Sequence, residues 1–265
     1  MKNIQKVSQF IENWLVEYAS KSGMDGFVVG VSGGIDSAVT STICARTGYP
    51  TLCLEMGIRQ NTSQVSKARK HIQWLEKKYR NVSHHHLSLT KLFDEFRLTL
   101  PDDIDEDKRN LALANSRARL RMTTLYFFAS INNFLVTGTG NKVEDFGIGF
   151  YTKYGDGGVD ISPIADLMKS EVYILAKFLN VIHDIQNSKP TDGLWDDDRT
   201  DEDQIGASYN EIEFIMKNFG KNFDEKFTRR QKEVNELYKN LNKKNKHKMK
   251  PIPVCKVPES LKYPI

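Results

Sequence analysis

Cysteine is scarce. Only Cys44, Cys53 and Cys255 occur in 265 residues, with neither a C-x-x-C pair nor a histidine spaced to complete a zinc site. That scarcity excludes a disulfide scaffold, and three reduced thiols in a cytoplasmic protein are expected. No run approaches the roughly 18 apolar residues of a membrane span, so no membrane partner is expected. The opening MKNIQKVSQF has no apolar stretch of the signal-peptide kind. A dominant sign of charge is missing as well. Lys and Arg number 38 against 34 Asp and Glu, and a net +4 is too small to argue for nucleic acid. The chain is not short of apolar residues, however: 39% hydrophobic and 27% charged excludes a disordered chain, and this length buries a core without staples.

What is present alternates. Ile4, Val7, Phe10, Ile11, Trp14, Leu15 and Tyr18 recur at helical spacing, which predicts a helix over 4–18, capped at Asn3 and stopped before Gly23. FVVGV (27–31) is a short Val-rich run bounded by glycines, as in a buried parallel strand. A helix over 37–46, strand 51–56, helix 62–79, a strand near NVSHHHLSL, helix 109–131 and strand 134–139 follow. This alternation predicts a single doubly wound, Rossmann-like α/β domain: a parallel sheet with helices on both faces, the core running over 26–253 and a tail over 254–265. Seven glycines between 138 and 160 mark a functional loop, and a helix is expected over 169–179. A further helical pattern runs through Ile212, Ile215, Met216 and Phe219, and NKKNKHKMKP is basic.

The sharpest feature is Gly30-Val31-Ser32-Gly33-Gly34-Ile35-Asp36-Ser37, between a strand and a helix. Doubly wound sheets bind phosphates there, on backbone N–H groups and the positive end of a helix dipole. No Lys opens the helix, so this is not a Walker A loop, and G-x-G-x-x-G is absent. Asp36 would repel a bare phosphate and fits if Mg²⁺ lies between them.

SGGIDS (32–37) resembles the pyrophosphate-binding loop of the ATP pyrophosphatase, or PP-loop, enzymes. NSRARLRM (115–122), GTGNKVEDFGIGFYTKYGDGGVDISPIADLMKSEV (138–172), KPTDGLW (189–195), DEDQIGASYNEIE (201–213) and HKMKP (247–251) are similar, in that order, to the NAD synthetase family. The resemblance implies an adenine nucleotide alpha hydrolase-like fold. It also implies ATP-dependent amidation of deamido-NAD to NAD through an adenylate, with AMP and pyrophosphate released, in a homodimer.

Carried over by position, it assigns Gly30 to Ser37 to the ATP phosphates, Asp36 and Glu144 to Mg²⁺, and Thr139, Lys169 and Thr191 to ATP. Asp36, Glu144 and Lys169 are the catalytic candidates. Lys153, Asp160, His247, Lys248 and one of Arg119 and Arg121, with Arg119 favoured, are assigned to deamido-NAD. Asp201 and Glu202 match a motif near ATP, Arg59-Gln60 lies near adenine, and Gly140-Asn141 replaces the Asp-His of many relatives. An adenylation site that gathers two dinucleotide phosphates, a triphosphate and a carboxylate needs several cations and a metal; Lys153, Lys169, Arg119 and His247-Lys248 supply positive charge, and Asp36 and Glu144 are placed to reach one metal.

Glutamine-using relatives carry an additional N-terminal amidase domain, so ammonia is the expected nitrogen donor. His84-His85-His86 reads as a solvated or packed strand end, because neighbours along a strand face opposite ways. Two rival readings are an adenylating tRNA-modifying enzyme and a non-catalytic ATP-binding module. The first lacks a visible nucleic-acid-binding appendage, and the second leaves Asp36 and Glu144 without a task.

Overall fold

The computed structural model describes residues 3–60, 62–101, 103–188, 190, 200–218 and 227–262. Helix α1 (Ile4–Ser22) starts where the Asn3 side chain accepts the Lys6 N–H, and it stops at Gly23, whose φ of +66° is left-handed. The chain then runs β1 (Gly26–Gly30), α2 (Ile35–Arg46), β2 (Thr51–Gly57), α3 (Thr62–Lys78) and β3 (Val82–Ser88). Next come α4 (Thr90–Leu98), α5 (Glu106–Asn132), β4 (Phe134–Val136) and a π-helical turn over Lys142–Ile148. Helices α6 (Lys169–Phe178), α7 (His183–Gln186), α8 (Asp201–Ile205), α9 (Tyr209–Asn218), α10 (Arg229–Asn245) and α11 (Glu259–Lys262) follow.

The four strands form one parallel sheet ordered β3-β2-β1-β4, with Phe27 opposite Thr51 on one side and Leu135 on the other. Alternation along β1 sends side chains to two helical layers. Phe27 and Val29 pack with Leu15 of α1, Val39 and Ile43 of α2 and Leu175 of α6. Val28 faces the other way, joining Leu54 and Val136 against Ala129 of α5. Both faces are therefore covered, as the sequence predicts.

Strand β4 stops at Val136, three residues short of the expected end. Thr137 makes an isolated parallel bridge to Ile161, and the Gly138 N–H donates to the Ile161 carbonyl, so the chain leaves the sheet towards the crevice. The C-terminal helices build a second apolar cluster. Val143 and Ile148 of the π-helical turn pack on Ile205, Ile212, Ile215 and Val234, which fixes that turn from outside the sheet. Among the described residues, no helix is long and apolar enough to cross a membrane.

One buried base gives the fold a pH dependence. His71 of α3 is fully buried against α2, where its ring meets Ser41 Oγ at 3.1 Å, and burial pushes its pKa from 6.5 down to about 4. The unfolded chain binds the extra proton first, so stability is complete above pH 6.5 and falls as pH drops towards 4. The expected slope from this residue is up to about 1.4 kcal/mol per pH unit. Urea unfolding across that range checks it, and His71→Gln should flatten the slope.

Candidate active site

Strand order reverses between β1 and β4, and in parallel sheets ligands collect at such a point beyond the carboxyl ends of the strands. A cavity of about 280 Å³ opens there, lined by the whole 30–37 loop, by Thr137 to Gly140 beyond β4, and by Glu144 and Lys169. Gly33 has φ +88°, and a Cβ on it would lie 2.7 Å from the Gln64 carbonyl, so the loop needs glycine at this position. Ser37 Oγ accepts from the Ser32 N–H at 3.2 Å and donates to the Gly34 carbonyl at 3.0 Å, which fastens the loop across the start of α2. The first turn of α2 thus brings its backbone N–H groups and positive dipole end to the crevice.

Three elements deliver charge to this point. Asp36 is the second residue of α2, Glu144 sits on the π-helical turn, and Lys169 is the first residue of α6. The buried Lys169 ammonium joins both carboxylates, at 2.6 Å to Asp36 and 2.8 Å to Glu144. Desolvation opposes its charge, yet Asp36 and Glu144 outweigh that and raise its pKa above the ordinary lysine range. The carboxylates split apart. Burial, with repulsion from Glu144, pushes Asp36 up against the pull of Lys169. Burial also opposes ionisation of Glu144, but Lys169 and the Tyr209 hydroxyl hold it below the ordinary carboxylate range.

Thr139 also lines the cavity. Of the residues matched to the dinucleotide, Arg119, Lys153, His247 and Lys248 gather around the loop at 149–154. Arg119 donates to the Lys153 carbonyl at 3.3 Å, and Lys153 Nζ reaches the His247 carbonyl at 3.4 Å. Lys248 Nζ is held by the Gly149 and Tyr151 carbonyls. Asp160 accepts from the Tyr126 hydroxyl at 2.9 Å and the Val136 N–H at 2.8 Å, tying α5 to β4. Arg121 lines the main cavity and donates from Nε to the Met56 carbonyl. Thr191 lies outside the described residues. The histidine run splits as its spacing predicts: His84 and His86 share one face, rings 4.5 Å apart, and His85 packs on Phe128.

Two residues that the sequence left without a role complete the cluster. Tyr209 donates its hydroxyl to Glu144 and, at 3.3 Å, to Asp201, so α9 and α8 reach the charged centre through one phenol. Asn141 is fully buried; its Nδ2 donates to Asp36 Oδ1 at 3.1 Å, and its Oδ1 caps the N–H groups of Val143 and Glu144. One amide therefore positions both carboxylates. Asn141→Ala should cost about 1–2 kcal/mol of stability through the lost cap and bonds, and turnover at least about tenfold. Thermal melts and steady-state kinetics read the two effects separately.

The NAD synthase family profile matches residues 7–252. The chain belongs to the NAD synthase family. It is 37% identical to the NH(3)-dependent NAD(+) synthetase of Carboxydothermus hydrogenoformans over 81% of this chain and 86% of that one. Among solved structures it is similar to the NMN synthetase of Francisella tularensis, with TM-score 0.83, 31% identity and coverage of 97% and 99% of the two chains. It is also similar to the NH3-dependent NAD synthetase of Campylobacter jejuni, with TM-score 0.77, 27% identity and coverage of 96% and 100%. Packing against Asp145 requires glycine at position 140. A Cβ there would lie 1.9 Å from Asp145 Oδ2, so the Asp145 carboxyl occupies the space that a side chain at 140 would take.

Proposed function

We infer that the chain makes NAD by ATP-dependent amidation of deamido-NAD with ammonia. The observation that carries this reading is the convergence of Asp36 and Glu144 on one ammonium, at the mouth of a phosphate loop, in a chain matched to the family over residues 7–252. A nicotinate carboxylate oxygen attacks the α-phosphorus of ATP, and the bond to the bridging oxygen breaks to release pyrophosphate. Ammonia then attacks the acyl carbon; AMP departs with the carboxylate oxygen, and a proton is lost to solvent.

The loop at 30–37 and Thr139 hold the triphosphate, and Lys169 keeps a fixed cation where phosphate charge moves. Asp36 and Glu144 fit Mg²⁺, which takes one or two carboxylates and completes its shell with substrate phosphates and water. When bound, the ion would neutralise charge developing on the departing pyrophosphate. Arg119, Lys153, His247 and Lys248 meet deamido-NAD on the neighbouring loop, and Asp160, held by Tyr126 and the Val136 N–H, is assigned to it as well. Asp160 also carries part of the fold, so Lys153→Ala is the cleaner variant. It should raise KM for deamido-NAD by about tenfold, one lost charged contact, and leave KM for ATP within about twofold.

The likeness to the Francisella tularensis NMN synthetase supports a second reading, in which the same chemistry acts on nicotinic acid mononucleotide. Incubation with ATP, Mg²⁺, ammonium and each acid in turn decides between them. The first reading expects NAD and AMP in equal amounts, with the larger kcat/KM on the dinucleotide. A larger value on the mononucleotide would favour the second. The assembly is proposed to be a cytoplasmic homodimer. Phe10, Trp14 and Tyr18 recur four residues apart on the outward face of α1 and are 72%, 37% and 40% exposed, as a self-pairing stripe requires. Sedimentation gives the mass.

A further inference from the structure

Arginine gathers at a second cavity, of about 490 Å³, between Arg59 beyond β2, helix α4 and the first turns of α5. Arg59, Arg97, Arg109 and Arg117 line it, and Glu106 is the single acidic side chain among its described lining residues. Helical spacing explains the gathering, since Arg109, Leu113 and Arg117 recur four apart on α5, as Phe93 and Arg97 do on α4.

The guanidinium groups of Arg59 and Arg117 are set in place. Arg59 Nη2 lies 2.8 Å from Asp94 Oδ1, and the Arg117 guanidinium rests 5.5 Å from the centre of the buried Phe93 ring. Arg59 itself has φ +51°, a left-handed backbone that a non-glycine residue adopts at a cost, and its N–H donates to Thr90 Oγ1. Several planar guanidinium groups lining one cavity suit a phosphoryl anion, whose oxygens accept forked contacts from them. The walls also adjoin the catalytic cavity. Gln60, next to Arg59, and Arg121, one turn beyond Arg117, both line it.

We propose that this cavity binds the phosphoryl groups of a small anion, at a site separate from the catalytic loop. The anion is either inorganic pyrophosphate or the phosphate of a nucleotide.

Calorimetric titration of the whole chain in EDTA tests this, with pyrophosphate in one arm and AMP in the other. The double variant Arg97→Ala with Arg109→Ala should remove one binding event or weaken it at least about tenfold. Glu106→Gln should tighten the same event by about threefold or more, and it changes only an exposed first-turn residue. An effect confined to pyrophosphate identifies the inorganic anion, and one that includes AMP identifies the nucleotide phosphate. Either result supports the site. Isotherms unchanged from wild type in Glu106→Gln, in both arms, overturn the proposal even if the double variant does not fold. Binding is read without turnover, so this outcome is independent of whether NAD is formed.

Discussion

Asp36→Asn and Glu144→Gln should each lower kcat by about a hundredfold or more while the melting temperature stays close to wild type. Both changes remove charge at nearly constant size, and both carboxylates lie on one ammonium in the crevice between β1 and β4. Losing a ligand to a metal that stabilises a departing pyrophosphate forfeits several kcal/mol in the transition state, and about 1.4 kcal/mol is tenfold in rate. The fold should tolerate the loss of either charge, because the cluster is held by three elements that also pack through apolar contacts. Steady-state kinetics at saturating Mg²⁺ check this. Near-normal turnover in either variant would remove that residue from the metal role.

Activity should run on ammonia, and the apparent KM for total ammonium should fall about tenfold per pH unit well below the pKa of ammonium, since only the neutral form has the attacking lone pair. Glutamine should support no synthesis. Burial pushes the Cys44 thiol up to about 12 and raises that of Cys53 as well, so neither is a thiolate nucleophile near neutral pH. NAD formation measured with each nitrogen source over a pH series checks both statements. Turnover with glutamine by the purified chain alone would expose an amidase centre in the chain.

The parts of this site that a sequence displays are those set by local chemistry. The loop at 30–37 is legible because its glycines, its position after a Val-rich strand and Asp36 all answer to one task. Helix α1 is legible because its apolar residues keep one period from Ile4 to Tyr18. Helix α10 hides behind its polar residues: only Val234, Leu237, Tyr238 and Leu241 form its inward stripe. Helix α4, between β3 and α5, is also missed. The π-helical turn lies within a glycine-rich sequence that reads as loop, since seven residues leave no periodicity to detect. Its cap, Asn141, is visible only as a departure from the Asp-His of relatives, and its bond to Asp36 spans 105 positions. Tyr209 reads as an ordinary helix start until α9 brings its hydroxyl to Glu144, 65 positions away.

The central claim is that a carboxylate oxygen of the substrate becomes bonded to the α-phosphorus of ATP before nitrogen enters. Deamido-NAD labelled with ¹⁸O in its nicotinate carboxylate tests it in one turnover experiment, read by mass spectrometry of the products. AMP carrying one ¹⁸O atom, with unlabelled pyrophosphate, is the predicted result. Unlabelled AMP, or label in a phosphate released together with ADP, would contradict adenylation at this site.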